Sequence, residues 1–365
     1  MIPFSNLAAE HFAIRDEIDT AISHVIDSGE FVLGPHVAEF ENSFSDFCGA
    51  NHVVGVNSGT SALHLALLAA GVQEGDEVIT VSMTFTATVA AVIYARAVPV
   101  MVDVDPVSWT MDPSLIEDAI TSKTKAIVPV HLHGQMADMK AIRSIADRHN
   151  LKVVEDAAQA HGARRDGLQV GDLAHAAAFS FYPGKNLGAF GEGGAVVTND
   201  PEIADSVRIL RNWGAQKKNH PDRIGFNCRM DALQGAILSV KLKHLEEWLE
   251  GRRRAAKLYD SALGVRGITK PTEMPRSRHT YHVYATCVPQ RDQHISALEA
   301  QSIQSGIHYP VPVHLQLPYR EWGQGEGSLP VTERLAREFL SLPIHSGLSQ
   351  RDIEFVAKTL DGGGH

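Results

Sequence analysis

Up to about residue 200 the chain alternates short apolar runs with helical stretches, and few folds accommodate that alternation. His52–Val56 (HVVGV) reads as a strand, Thr60–Ala70 as a helix closed by Gly71, and Glu77–Val81 (EVITV) as a second strand. A helix over Thr86–Ala95 and a strand over Val98–Val104 follow. Asp112 before Pro113 is a helix start, since the carboxylate caps first-turn amides and proline belongs at the first helical position. Ala126–Leu132 (AIVPVHL) then reads as a strand, Asp138–His149 as a helix and Lys152–Glu155 as a strand. Repeated strand–helix–strand units predict an α/β fold, with a mostly parallel sheet covered by helices on both faces. Ligands of such sheets sit outside the carboxyl ends of the strands.

Met230–Lys257 is a long helical pattern with Leu233, Ile237, Val240, Leu242 and Leu245 as its apolar stripe. The run Arg252-Arg253-Arg254 on it is expected to be a solvated face. Beyond about residue 250 the character changes. Tyr281–Val288 alternates like a half-buried strand, and a Pro- and His-rich stretch runs from His308 to Pro318. We therefore expect a large domain over residues 1–248 and a smaller α+β domain over 249–365.

The 365 residues suffice for a sizeable core and a closed site. Lys plus Arg number 33 against 43 Asp plus Glu, a formal net charge of −10. That balance speaks against a general nucleic-acid binder, whose affinity comes from neutralising phosphates. Cys48, Cys228 and Cys287 are far apart and form no CxxC pair, as expected of reduced, structural thiols. The opening MIPFSNLAAEHFAIRDEID lacks a basic stretch followed by an apolar run, and no segment has transmembrane length. The expectation is a cytoplasmic protein with no membrane partner, and a frayed tail over Asp361–His365. His131 and His133 would share one strand face, as two metal ligands might. No third ligand stands in register with them, so no metal is expected.

Three segments carry residues suited to chemistry. Gly55–Leu63 (GVNSGTSAL) passes from strand through turn to helix. A helix amino terminus offers unpaired amides and partial positive charge to a phosphate, Gly59 permits close approach, and Thr60 and Ser61 add hydroxyls. Simple helix capping is the alternative. Asp156 stands at the carboxyl end of an apolar strand in VVEDAAQAHG, where it could ligate a metal, act as a base, pair with a protonated ring nitrogen or cap the next segment. Glu155 should point to the opposite side. Lys185 sits in a turn of aromatic residues and glycines, FSFYPGKNLGAFGEGG from Phe179 to Gly194. Lysine forms Schiff bases with carbonyl compounds once burial has lowered its pKa. Pyridoxal 5'-phosphate needs a phosphate cradle, an acid facing its ring nitrogen and a lysine for its aldehyde. These segments supply one each, with Asp156 and Lys185 185 − 156 = 29 residues apart.

The stretches NSGTSAL, TFTAT, EDAAQAHGA, SFYPGKNLGAFGEGG and GFNCRMDALQGAIL resemble the DegT/StrS family of nucleotide-sugar aminotransferases, along nearly the whole chain from Ile2-Pro3-Phe4 to about Leu360. The resemblance implies a fold-type I pyridoxal phosphate enzyme, like aspartate aminotransferase. It makes Lys185 the Schiff-base lysine and proton shuttle, and Asp156 the partner of the pyridinium nitrogen. It places Gln159 on the ring hydroxyl, Phe85 on the ring face, and Gly59, Thr60 and Ser180 on the phosphate. Asn227 would reach the cofactor phosphate of a neighbouring subunit, which implies a homodimer with shared active sites.

The stretch GIHYPVPVHLQ, from Gly306 to Gln316, resembles the branch acting on nucleotide-linked 3-keto-6-deoxyhexoses. That carries substrate contacts to His308, Tyr309 and Tyr182, with His314 weaker. Lys217 and Lys218 would meet the pyrophosphate from the neighbouring subunit, or else lie on a solvated loop. The implied reaction takes an amino group from L-glutamate, through pyridoxamine 5'-phosphate, to a keto carbon of a dTDP-linked sugar in amino sugar biosynthesis. The alternatives are a 4-aminotransferase making a perosamine-type GDP- or UDP-linked sugar, and, in another class, a non-catalytic cofactor-binding regulator. A dehydratase on the same fold is disfavoured, because those relatives carry histidine where this chain has Lys185.

Overall fold

The computed structural model describes residues 1–217, 219–264 and 267–362. Seven strands form the central sheet: β1 (His52–Val56), β2 (Glu77–Val81), β3 (Val98–Val102), β4 (Thr124–Ile127), β5 (Lys152–Asp156), β6 (Ala176–Ser180) and β7 (Gly194–Thr198). Their order is β1-β7-β6-β5-β4-β2-β3. Pairs along β6-β5-β4-β2-β3 are parallel, and β7 runs antiparallel to both of its neighbours.

Period-two alternation divides the strand residues between two cores. Val153, Ala177 and Val197 enter the core on one face, and Val154, Ala178 and Val196 the core on the other. Helices α3 (Pro35–Cys48) and α8 (Ala232–Ala262) lie against the first face. Helices α4 (Gly59–Ala69) and α7 (Pro201–Leu210) close the second. Because α4 is packed on nearly all sides, it reads as an apolar helix with no polar stripe.

Four sequence expectations are corrected. The regular fourth strand ends at Ile127, since Pro129 has no amide to donate, and beyond it the chain keeps only an isolated parallel bridge from Val130 to Asp156. Beyond it Leu132–Gly134 is a 3₁₀ turn with His133 at φ 58°. His131 and His133 therefore share no strand face. His131 Nε2 lies 3.4 Å from Glu155, while His133 donates from Nε2 to the His308 carbonyl at 3.1 Å. Asp112 does cap, accepting from Ser114 N at 2.9 Å, but only a 3₁₀ turn follows, since the chain turns extended at Ile120 on its way to β4. The arginine run is not a solvated face. Arg252 is buried and donates to the carbonyls of Tyr281, His282 and Ile344, while Arg253 pairs with Glu273 at 2.6 Å.

Helix α8 crosses position 248 without a break. Its carboxyl half joins a separate core with α9 (Arg291–Ala300), α11 (Gln350–Gly362) and the antiparallel pair β8 (Tyr284–Cys287) and β9 (Phe339–Leu342). Tyr259, Tyr284, Leu340 and Ile353 centre that core, and the chain's start completes it through an Ile2–Ile303 bridge. Cys48 and Cys287 are buried, and burial pushes both thiols up. No helix among the described residues is long and apolar enough to cross a membrane.

Candidate active site

A cleft of about 550 Å³ opens at the carboxyl ends of the sheet strands, against the small core. Its floor is made where three segments meet. Ser58, extended at φ −167° and ψ 161°, caps α4 by accepting from Ser61 N at 3.1 Å. The cap leaves the first amides, those of Gly59 and Thr60, with no acceptor inside the helix. The cap expected of this segment is present at Ser58, and the next two residues, Gly59 and Thr60, line the cleft. A Cβ at Gly59 would stand 2.6 Å from the Ser180 Cβ, so only glycine lets α4 start this close to the end of β6. The result is a small, positively polarised concavity with Ser180 at its rim.

Asp156 ends β5 and is 5% exposed. Its Oδ2 accepts from Thr88 Oγ1 at 2.6 Å and its Oδ1 from Ala158 N at 3.1 Å. Glu155 faces the other way, as the strand geometry requires, and accepts from Gly171 N at 2.7 Å. Gln159 accepts from His133 N at 2.6 Å, which turns its amide nitrogen toward the Tyr309 hydroxyl at 3.0 Å. Phe85 is half exposed on the cleft wall, its ring 5.7 Å from that of Tyr309.

Lys185 lies in the turn after β6, its amide donating to Tyr182 O at 2.8 Å. Burial pulls its amine down to about 8, and the charge of Asp156 opposes that pull. His161 is held at about 3 and His308 at about 4, in both cases mainly by burial and then by the charge of Lys185. His282 is pushed well below the usual value by the same causes in the same order. Near neutral pH the lysine thus faces uncharged imidazoles and one buried carboxylate, Asp156.

Of the residues singled out in the sequence, Gly59, Thr60, Phe85, Asp156, Gln159, Ser180, Tyr182, Lys185, His308 and Tyr309 all line this cleft. His314 does not. Its Nδ1 meets Ser82 Oγ at 2.7 Å and its Nε2 meets Glu333 at 3.3 Å, deep in the protein. Asn227 and Lys217 are exposed and do not line the cleft, Asn227 accepting from Arg229 Nε at 3.1 Å and Lys217 lying on a short hairpin. Lys218 lies outside the described residues. Sequence reasoning missed Thr88, which lies in the first turn of the helix Ala87–Tyr94 and whose hydroxyl meets that of Thr84, in the bend before the helix, at 2.7 Å. It also missed His282 and Phe4, which line the cleft, with Phe4 stacked on His308 at 5.6 Å. Among the described residues no group of three or more His, Cys, Asp or Glu could hold a metal.

A polarised cradle, a buried carboxylate and a lysine of lowered basicity converge here, and that donor set fits pyridoxal phosphate. The profile of the DegT/DnrJ/EryC1/StrS aminotransferase family matches residues 13–361. The dTDP-3-amino-3,4,6-trideoxy-alpha-D-glucose transaminase of Streptomyces venezuelae is 48% identical over 345 residues, 94% of this chain and 91% of that one. The erythromycin biosynthesis sensory transduction protein EryC1 of Saccharopolyspora erythraea is 48% identical over 363 residues, 99% of each chain. The crystal structure of S. venezuelae DesV with a ketimine intermediate superposes with a TM-score of 0.97 at 46% identity, covering 100% of this chain and 99% of that one. The chain belongs to the DegT/DnrJ/EryC1/StrS family and is a pyridoxal phosphate-dependent aminotransferase of fold type I.

Proposed function

We propose that the enzyme moves the amino group of L-glutamate to the keto carbon of a dTDP-linked 3-keto-6-deoxyhexose, giving a 3-amino sugar. The observation that carries this reading is the convergence of Lys185, Asp156 and the open amides of α4 on one cleft, whose outer wall is His308, Tyr309 and Tyr182. The name of the S. venezuelae relative supports the dTDP-linked 3-amino product. The bound cofactor supplies an electron sink and carries the amino group between the two substrates.

The protein residues do the rest. Gly59, Thr60 and Ser180 would hold the phosphate, and Asp156, oriented by Thr88 and Ala158 N, would keep a proton on the ring nitrogen. Gln159, bonded to the Tyr309 hydroxyl, would meet the ring hydroxyl, and Phe85 on the cleft wall would lie against the ring. Lys185 would hold the aldehyde and move the proton, its amine lowered by burial to about 8. Phe85, Val130, Ala158 and Val283 form an apolar lining that displaces water. His308, Tyr309 and Tyr182 contact the sugar nucleotide, and Lys217 of a neighbouring subunit meets the pyrophosphate.

The test is a visible absorbance spectrum before and after L-glutamate, followed by a panel of dTDP-linked 3-keto and 4-keto sugars with products identified by NMR. We expect the yellow band to fade with glutamate and to return only with the 3-keto sugar. Return with 4-keto sugars alone would instead assign a 4-aminotransferase.

Asn227, exposed outside its own cleft, is proposed to complete the phosphate site of the partner in a homodimer. Asn227→Ala should weaken cofactor retention. Mixed dimers of Asn227→Ala with Lys185→Ala should regain activity, because one of the two shared sites is then intact. Mixtures no more active than the separate variants would rule out shared sites.

A further inference from the structure

Lys241 is a buried cation that the reaction does not use directly. It lies on α8 and is 2% exposed. Its Nζ donates to the carbonyl of Gly188 and, at 3.0 Å, to His11 Nε2 on α1 (Leu7–Ala13). The ammonium also lies over the Phe190 ring at 5.5 Å and the Trp248 ring at 5.9 Å. Among the described residues no carboxylate pairs with it directly. The charge of Glu10 on α1 acts on it, and that acid accepts from Ser346 Oγ at 2.8 Å. An unpaired buried lysine is costly, so its retention here calls for a reason.

The reason lies in what Gly188 does. A Cβ at Gly188 would fall 2.3 Å from Pro183 O, so Pro183–Gly188 folds back on itself with Lys185 inside the loop. The stem of that loop is held from α8 at two points. Gln234 accepts from Phe190 N at 2.8 Å, and Lys241, seven residues on and therefore on the same helix face, takes the Gly188 carbonyl. His11 braces the arrangement from outside, its ring 4.6 Å from that of Phe190. We propose that Lys241, braced by His11, is a positioning residue that clamps the stem of the Lys185 loop and so keeps the catalytic amine in its dry, aimed position. This rests on Lys185 being the cofactor lysine.

A loosened stem would admit water to Lys185, whose amine is low because it is buried and in spite of the charge of Asp156. Wild type, Lys241→Met, Lys241→Arg and His11→Leu are compared in two ways. In the apoenzyme, the rate of pyridoxal phosphate uptake is followed against pH by the visible band. In the holoenzyme, kcat and KM for L-glutamate are measured. Wild-type uptake should inflect at about 8, where Lys185 loses its proton. Methionine fills the space without a donor, so the inflection should move up toward the ordinary lysine value. In that variant kcat should fall about tenfold with KM little changed. Arginine keeps the donors and should stay near wild type in both measurements.

Wild-type behaviour of Lys241→Met within about twofold overturns the proposal. So does an arginine variant as impaired as the methionine one, since filling rather than donation would then matter. Should Lys241→Met not fold, His11→Leu decides, because an upward shift supports the clamp and an unmoved inflection overturns it. A wild-type protein that never develops the visible band overturns the assignment of Lys185 itself, and this inference with it.

Discussion

Lys185→Ala should give a folded protein with no measurable transamination. Two functions disappear together, the covalent hold on the cofactor aldehyde and the base that moves the proton. General-base transfer alone contributes roughly 10²- to 10⁴-fold, and loss of the nucleophile adds to that. The fold should persist, because the loop is held by its own backbone and by Asn186, which donates to Thr280 O at 3.2 Å, rather than by the lysine side chain. Single-turnover absorbance with L-glutamate tests the chemistry, and thermal unfolding tests the fold. Turnover at wild-type rates would remove Lys185 from the reaction.

The same variant carries a pH signature. Lys185 is held at about 8 in the folded apoenzyme against an ordinary 10.5. Between those values the unfolded chain holds more protons than the native one, so this group makes stability rise with pH. The alanine variant lacks that contribution. The stability of wild type relative to Lys185→Ala should therefore increase from pH 8 to 10.5. Lys241, lowered to about 8 by burial, contributes equally to both proteins and cancels.

What could be read from the sequence was local in origin. Strand alternation places Asp156 at a carboxyl end, a cap followed by glycine opens the amides of α4, and a turn of glycines and aromatics isolates Lys185. Each signal is complete within one short continuous stretch of the chain. The contacts that orient these groups span much longer separations. Gln159 and Tyr309 are 150 residues apart, and Thr88 and Asp156 are 68 apart. No pattern in the sequence pairs them. The arginine run misled for the same reason, since a charged triplet on a helix gives no sign that the carbonyls of Tyr281, His282 and Ile344 wait to receive Arg252. The fourth strand is shorter than its apolar run, because the run does not show that Pro129 interrupts the regular ladder and leaves only the Val130–Asp156 bridge beyond it.

Asp156→Asn separates charge from shape. The amide oxygen can keep the Ala158 amide, and the amide nitrogen can donate to Thr88 Oγ1. Thr88 can turn its own proton to the Phe85 carbonyl, 3.2 Å away. Every hydrogen bond around the site is thus replaceable, and the variant should fold and bind pyridoxal phosphate. It should still be slow. A neutral amide cannot stabilise a proton on the ring nitrogen, and a nearby opposite charge is worth about 1–3 pKa units. At tenfold per 1.36 kcal/mol, the rate should fall between about ten- and a thousandfold. The loss should appear in both half-reactions, with glutamate and with the keto sugar, because the ring nitrogen serves both. Stopped-flow absorbance of each half-reaction checks this. Rates equal to wild type in both would show that Asp156 only holds the loop after β5. A loss in one half-reaction alone would place it on a substrate instead of the ring.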